Sequence, residues 1–129
     1  MGRTVRIPAR AEGKILVVDA TIGEAHARLV VDTGAGTSAL SLGCAARLGL
    51  VVHQGLRVRT PTGMSAVGAF IVPSFRVGPL EVTRLRVAAV PLQNDTIDGL
   101  LGLDFFRAVK ASAITLLLDE AQIEVRLSA

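Results

Sequence analysis

A single acidic turn constrains this chain more than any other feature. The apolar run Leu29–Val31 leads directly into Asp32-Thr33-Gly34-Ala35-Gly36-Thr37-Ser38. A carboxylate at the end of a buried strand costs free energy unless it is paired or has a chemical role. The two glycines, Gly34 and Gly36, let backbone approach this carboxylate closely and allow positive φ. The pattern occurs once and suits a reactive carboxyl group.

The rest of the chain reads mostly as strands. Half of its 129 residues are hydrophobic and only 3% are aromatic, so an aliphatic core is expected. This length suits one hydrophobic core, and we expect a single domain over 1–129, with an N-terminal arm at 1–10 and a C-terminal hairpin at 111–129. Alternation and turn residues predict the following strands: Thr4–Ile7, Lys14–Thr21, Ala25–Val31, Ser38–Leu40, Leu56–Arg59, Val67–Val72, Val82–Val90, Leu100–Leu101, Ile114–Leu118 and Gln122–Leu127.

Two short helices interrupt this all-β pattern. Apolar spacing over Leu42–Leu48 predicts the first, which ends at Gly49 as a plausible C-cap. Phe105–Val109 predicts one or two further helical turns. Leu56–Arg59 and Val67–Val72 flank the turn residues Thr60–Gly63 and are expected to pair as a hairpin with a small, polar tip.

Composition argues against several functional classes. The net charge of +3 comes from arginines scattered along the chain, and there is no Trp or Tyr to stack on bases. Nucleic-acid binding is therefore unsupported. No apolar run is long enough to span a bilayer, and the N-terminus lacks the apolar segment of a signal peptide.

The cysteine and histidines carry no recognisable site. Cys44 is the only cysteine, so no intrachain disulfide forms and the fold does not depend on an oxidising compartment. We expect a buried, inert thiol. His26 and His53 lie in no motif that would activate a cysteine, and the three residues lack zinc-ligand spacing. No metal or cofactor is expected.

A second motif near the other end completes a family pattern. Asp98-Gly99-Leu100-Leu101-Gly102-Leu103-Asp104-Phe105 is an apolar pair and a glycine before a predicted helix. Together with the strand and Asp32-Thr33-Gly34-Ala35, it makes the chain resemble the retropepsin-like aspartic proteases, which are single-domain, homodimeric relatives of pepsin. The resemblance covers nearly the whole chain. It implies a closed β-barrel or sandwich with a flap hairpin and one or two short helices.

The resemblance also implies a reaction. Asp32 would be the catalytic carboxylate, and one motif supplies half a site. Two copies of Asp32 would face each other across the axis of a homodimer and activate water to hydrolyse a peptide or protein substrate. Thr33 would hydrogen-bond across the axis, and Gly34 would bring its backbone toward the paired carboxyls.

The remaining site residues follow from the same resemblance. Ala35 and Gly36 would line the substrate cleft. Leu100, Leu101 and Gly102 would pack beneath the catalytic turn. The hairpin tip would close over bound peptide as a flap formed by Thr60, Pro61, Thr62, Gly63 and Met64. The C-terminal hairpin would contribute to the dimer interface.

Two positions depart from the viral members of this family. Viral enzymes usually carry an acidic residue two positions after the motif's glycine and an arginine directly after the later glycine. This chain has Gly36 and Leu103 at those positions. Both partners of the viral ion pair are absent together, which points to the cellular or bacterial branch.

Two other interpretations stay open at this point. The turn from Val31 to Ser38 also looks like the phosphate loop of actin-like ATPases and sugar kinases, but those folds need two α/β domains and long helices that this chain lacks. The alternative to an active enzyme is a non-catalytic retropepsin fold used for dimerisation or peptide binding.

Overall fold

The computed structural model describes residues 2–61, 63–92 and 96–128, with backbone alone for 54–60 and 65–67. Two six-residue helices accompany the strands, and no helix within these ranges is long or apolar enough to cross a membrane. The elements are β1 (Arg3–Pro8), β2 (Arg10–Glu12), β3 (Ile15–Ile22), β4 (Ala25–Val31), β5 (Ala39–Ser41), α1 (Leu42–Arg47), β6 (His53–Thr60), β7 (Gly63–Val77), β8 (Leu80–Val90), β9 (Gly99–Leu101), α2 (Leu103–Ala108), β10 (Ala111–Leu117) and β11 (Gln122–Leu127).

A closed barrel of six strands forms the body of the molecule. The larger sheet has the order β2-β3-β4-β9-β5-β8-β7-β6. It closes because β7 pairs with β3 as well as with β8. Closure leaves no free edge among the six barrel strands, which are β3, β4, β9, β5, β8 and β7. In this larger sheet, β2 and β6 are the outer strands.

A smaller sheet packs against this barrel. Its order is β1-β11-β10, with antiparallel pairing throughout. Ile123 and Val125 on β11 are fully buried and belong to the same core as the barrel residues, as their alternation predicts. The N-terminal strand β1 pairs with β11 of its own chain, and its Ile7 is buried in that core.

Phenylalanines occupy the centre of an otherwise aliphatic core. All four in the sequence, Phe70, Phe75, Phe105 and Phe106, are buried. The Phe75 and Phe105 ring centroids lie 5.4 Å apart, and Phe105 meets Phe106 edge-on at 5.6 Å. Because Phe105 and Phe106 belong to α2 and Phe75 to β7, these contacts fix the helix against the barrel.

The predicted all-β architecture with two short helices is confirmed. Helix α1 ends where predicted: Gly49 has φ 72° and donates to the Ala46 carbonyl, while Leu50 donates to that of Ala45. These two bonds form a Schellman motif. The strands differ most from the sequence prediction at two places. β2 was not expected, and β7 runs from Gly63 through Pro73 to Val77 as one strand.

Proline is tolerated in β7 because of where its partners lie. β7 pairs with β6 up to Ala69 and with β3 from Phe75 onward. Pro73 falls between these stretches, where its missing N–H leaves no ladder bond unmade on that side. On the other side, the register with β8 passes from Val72 to Ser74 without a pair at Pro73.

Candidate active site

Asp32 lies directly after β4, where the barrel strand turns. Its N–H donates to the Leu101 carbonyl at 3.0 Å, which ties the residue to β9. One Asp32 carboxylate oxygen accepts the Gly34 N–H at 3.0 Å, and the Asp32 backbone carbonyl accepts the Ala35 N–H at 3.1 Å. The side chain is partly exposed. The turn therefore presents a carboxylate whose position is set by backbone contacts.

Strand β9 lies beside β4 and supports the turn that follows β4. It pairs parallel with β4, matching Val30 to Leu100 and Val31 to Leu101, and antiparallel with β5. Leu101 is fully buried, and Leu100 is partly buried. The structure thus brings the two predicted support residues next to the strand that carries Asp32.

Backbone passes very close to two glycines, Gly99 at the start of β9 and Gly102 just after it. A Cβ atom on Gly99 would lie 2.0 Å from the Ala39 carbonyl oxygen. A Cβ atom on Gly102 would lie 2.8 Å from the Ala35 carbonyl oxygen and 3.0 Å from the Ser38 nitrogen. These neighbours are backbone atoms and cannot move as a side chain would. The absence of a side chain at Gly102 lets the Asp32 turn pack onto the start of α2.

A buried hydroxyl and a carboxylate hold the far end of the turn. The Ser38 hydroxyl donates to an Asp104 carboxylate oxygen at 2.7 Å and accepts the Gly102 N–H at 2.9 Å. The same Asp104 oxygen accepts the Ser38 N–H at 2.9 Å and the Phe105 N–H at 2.8 Å. We call Ser38 and Asp104 the clamp. It joins the end of the turn to the first turn of α2.

Sequence reasoning missed the clamp. Ser38 appeared only as a small residue after the motif, and Asp104 only as part of the second motif. The two are 66 residues apart in the chain, so no local pattern connects them. The available signal was an acidic residue in the first helical turn, which often bonds backbone N–H groups.

A second carboxylate braces the strands beside the turn. Asp98 accepts the Arg28 N–H at 2.8 Å and the Arg47 guanidinium at 3.3 Å. Its own N–H donates to the Arg28 carbonyl, and its carbonyl accepts the Ser41 N–H at 2.7 Å. Asp98 therefore links β4, β5 and α1 immediately before β9 begins.

The outward side of the turn is open to solvent. Thr33, Gly34 and Gly36 are exposed, and Ala35 is partly exposed. Neither Gly34 nor Gly36 uses the positive φ that a glycine allows. Gly34 contributes instead by placing its N–H on the Asp32 carboxylate, and a Cβ atom on Gly36 would meet no atom within 4 Å.

The predicted flap residues lie in the hairpin of β6 and β7. Thr60 pairs with Gly63 at its end, and Pro61, Gly63 and Met64 are exposed. Thr62 lies outside the described residues. β6 is an outer strand of the larger sheet, and β9, β5, β8 and β7 lie between it and β4 in the sheet order.

The described residues contain one cysteine and no group of metal ligands. Cys44 is buried in α1; burial raises the pKa of its thiol, and the nearby Asp98 carboxylate adds to that rise. Within the described ranges, no three His, Cys, Asp or Glu side chains are grouped as metal ligands. The chemistry available at the turn is that of a carboxyl group.

Comparison with known families identifies the class of protein. An aspartyl protease family model matches residues 18–105, a span that contains both the Asp32 turn and β9. The chain therefore belongs to the aspartyl protease family. No curated protein sequence matches it significantly.

Solved structures place the fold in the retropepsin-like group. A retropepsin-like aspartic protease from Rickettsia conorii is 18% identical, with a TM-score of 0.70 over 98% of this chain and 92% of that one. The retroviral protease-like domain of Ddi1 from Leishmania major is 19% identical, with a TM-score of 0.52 over 82% of both chains. A structure of edgp is 10% identical with a TM-score of 0.58, and 46% of its length is covered. These similarities confirm the predicted retropepsin-like fold.

Proposed function

We propose that this chain is an aspartic endopeptidase whose active site forms between two copies. The observation that carries the proposal is Asp32 itself, a carboxylate fixed by backbone at the end of a barrel strand with its outward side uncovered. Family membership supports a peptidase. One such turn per chain supplies one carboxylate, and a symmetric dimer brings two together.

The proposed reaction uses the two Asp32 carboxyls as a pair. Two carboxyls at close range cannot both ionise cheaply, so the pair holds one proton. The ionised carboxyl takes a proton from water, which attacks the carbonyl carbon of the scissile bond. The protonated carboxyl donates its proton to the carbonyl oxygen. The carboxyl that took the proton from water then gives it to the amide nitrogen, and one hydroxyl of the tetrahedral intermediate returns a proton to the other carboxylate. The C–N bond breaks, which releases amine and acid without an acyl-enzyme.

The neighbouring residues take positioning roles in this proposal. Thr33 hydrogen-bonds across the dimer axis, and Gly34 holds the Asp32 carboxylate through its N–H. Ala35 and Gly36 line the cleft. The hairpin tip at Thr60–Met64 acts as a flap that closes over the peptide and excludes water. The clamp and β9, with Leu100, Leu101 and Gly102, keep the turn in place.

The test is cleavage of a peptide library by the wild type and by Asp32→Asn. Cleavage is read by mass spectrometry across roughly pH 4–7.5, which brackets a shared-proton pair. We expect cuts from the wild type and a loss of at least about 10³-fold in the variant, as for removal of a catalytic group. Thermal unfolding and sedimentation of the variant should match the wild type. Equal cleavage by both proteins, or none by a folded wild-type dimer, contradicts the proposal.

A further inference from the structure

Strand β9 is short, yet it carries the carbonyl that holds Asp32. It has three residues, which is the lower limit for a strand. It pairs with three residues of β4 and two of β5. The Leu101 carbonyl at its end accepts the Asp32 N–H at 3.0 Å. The position of the Asp32 turn therefore depends on what holds the two ends of β9.

A carboxylate lies at each end of β9. After the strand comes the clamp, in which the Ser38 hydroxyl, bonded to Asp104, accepts the Gly102 N–H. Before the strand comes Asp98. One of its carboxylate oxygens accepts the Arg28 N–H at 2.8 Å, and its own N–H donates to the Arg28 carbonyl at 2.8 Å. Asp98 is thus joined to β4 by side chain and backbone, and its side chain is only 18% exposed.

Helix α1 contacts Asp98 from both of its ends. Ser41, the N-cap, donates its N–H to the Asp98 carbonyl at 2.7 Å, and its hydroxyl accepts the Cys44 N–H at 3.0 Å. In the last turn, the Arg47 guanidinium lies 3.3 Å from the other Asp98 carboxylate oxygen. Cys44 and Ala45 are buried, so the helix is anchored on the core. The Asp98 carboxylate therefore meets a cation that a fixed helix carries.

We infer that Arg47 and Asp98 are positioning residues for the Asp32 carboxyl. Arg47 holds the Asp98 carboxylate, Asp98 sets where β9 begins, and the end of β9 holds the Asp32 N–H. Both residues act through the backbone of β9 and not by contact with substrate. The inference rests on the proposed function, since a small displacement of Asp32 affects chemistry only where two carboxyls must act on one water.

This role can be separated from a contribution to stability. The Arg47 side chain is 56% exposed, and ion pairs at the surface contribute little to the free energy of unfolding. Removing the guanidinium should therefore leave a folded protein in which Asp98 has lost its contact with the end of α1. A change in the catalysis of that protein reports on the position of Asp32 and not on the fraction folded.

Steady-state kinetics on a peptide that the wild type cleaves test the role of Arg47. Arg47→Ala should lower kcat by about 10-fold and change KM by less than about 2-fold, because a displaced catalytic group slows the reaction without removing a contact to bound peptide. Arg47→Lys retains a cation and should cleave within about 2-fold of the wild type. An Arg47→Ala protein with the wild-type kcat overturns the inference.

A double variant tests whether the two residues act together. Asp98→Asn keeps an oxygen for the Arg28 N–H but removes the charge that faces Arg47, and it should also lower kcat by about 10-fold. Adding Arg47→Ala should then cause no further loss, since residues that act through one contact are not additive. Losses that multiply to about 100-fold overturn the pair.

Arg10→Ala is the matched control. The Arg10 side chain is 52% exposed, and its guanidinium pairs with Asp19 at 3.0 Å on β3, a strand that does not pair with β9. Its contact with Glu12 is longer, at 3.6 Å, and Glu12 keeps Arg28 as a partner. The kcat of Arg10→Ala should equal that of the wild type. An equal loss in Arg10→Ala and Arg47→Ala would mean that losing any surface cation lowers activity, which overturns the positioning role.

The pH dependence of kcat/KM supplies a measurement that lost stability does not move. The two Asp32 carboxyls of the proposed pair share one proton because their charges repel at close range. Carboxyls that are held less firmly lie further apart on average and repel less, so the pH range in which only one is ionised becomes narrower. The bell-shaped profile of Arg47→Ala should therefore be narrower than those of the wild type and Arg10→Ala. A lower kcat with a profile of unchanged width overturns the inference.

Amide hydrogen exchange, followed by NMR, separates this inference from the proposed function because it needs no activity. The Asp32 amide should exchange about 10-fold faster in Arg47→Ala than in the wild type, while the amides of β11 keep their rates, because the turn opens locally and the smaller sheet stays closed. A wild type that cleaves no peptide but shows this pattern removes the protease and retains the link from Arg47 to the turn. A wild type that cleaves peptide, without faster exchange at Asp32 in the variant, retains the protease and removes the link.

Discussion

The Asp32 turn has two sides that differ in almost every physical respect. Its inward side is held by the clamp and by bonds from Asp32 to Leu101 and from Leu103 to Ala35. Its outward side exposes Thr33, Gly34 and Gly36. The contrast teaches that the position of Asp32 is fixed from within the chain, while the outward side is left uncovered, as the proposed pairing with a second copy requires.

The largest expected effect on stability comes from replacing a glycine by alanine on the inward side, compared with the same replacement on the outward side. Gly99→Ala forces a Cβ atom to 2.0 Å from the Ala39 carbonyl oxygen, and we expect a loss of about 3 kcal/mol or more in the free energy of unfolding. Gly36→Ala is the matched control on the outward side, where a Cβ atom meets nothing within 4 Å. It should change stability by less than about 0.5 kcal/mol. Urea unfolding measures both; equal losses would remove the distinction.

The next largest effect on unfolding free energy is expected from removing the Asp104 carboxylate of the clamp. Asp104→Ala leaves the Ser38 N–H and the Phe105 N–H without their acceptor, and about 2–3 kcal/mol of unfolding free energy should be lost. Asp104→Asn keeps an oxygen acceptor and should lose less than half as much. Chemical denaturation compares the two. A loss that is the same for both would mean that charge, and not acceptor geometry, stabilises the turn.

Thr33 tests the outward side. Its side chain is exposed in the single chain, so Thr33→Ala should alter unfolding of the monomer by less than about 0.5 kcal/mol. If its hydroxyl bonds across the axis, the dimer Kd should rise by about 10-fold, as for loss of roughly one hydrogen bond. Thr33→Ser retains the hydroxyl and should dimerise like the wild type. If Thr33→Ala destabilised the monomer, the Thr33 side chain would instead contribute to the inward contacts of the turn.

Cys44 gives the smallest effect, at high pH. Burial, and then Asp98, raises the pKa of its thiol above that of the unfolded chain. The resulting stability is complete below the ordinary cysteine pKa of about 8.5 and is lost as pH rises through the native value. Stability should therefore fall less above pH 8 in Cys44→Ala than in the wild type. Alkylation by iodoacetamide should be slow until the protein unfolds; rapid native alkylation would contradict burial.

Local patterns in the sequence predict most of this fold. The alternation over Gln122–Leu127 predicted β11, in which Ile123 and Val125 are buried, and Gly49 marked the end of α1. β2 escaped because Arg-Ala-Glu has no apolar periodicity and is held by ion pairs with side chains on other strands. The course of β7 through Pro73 depends on which neighbours leave a gap, and that is a property of the sheet.

The candidate site likewise has residues that local sequence patterns predict and residues that they do not. Asp32, Leu100 and Leu101 were predictable as one constellation because two motifs carry them, and the structure brings them together on adjacent strands. The clamp was not predictable, because Ser38 and Asp104 meet only after the barrel has closed. The Gly34 N–H bonds the Asp32 carboxylate without a positive φ, a backbone geometry that the sequence leaves open.

The position of β9 has a consequence for how this chain folds. β9 fills the gap between β4 and β5, and its pairing with β4 joins residues about 70 positions apart. Contacts of such long range are slow to form, since the intervening chain must lose its entropy first. During synthesis, the Asp32 turn gains its support only after residue 101 has emerged. The Asp32 carboxylate is therefore fixed in place only after the strands between β4 and β9 have been synthesised.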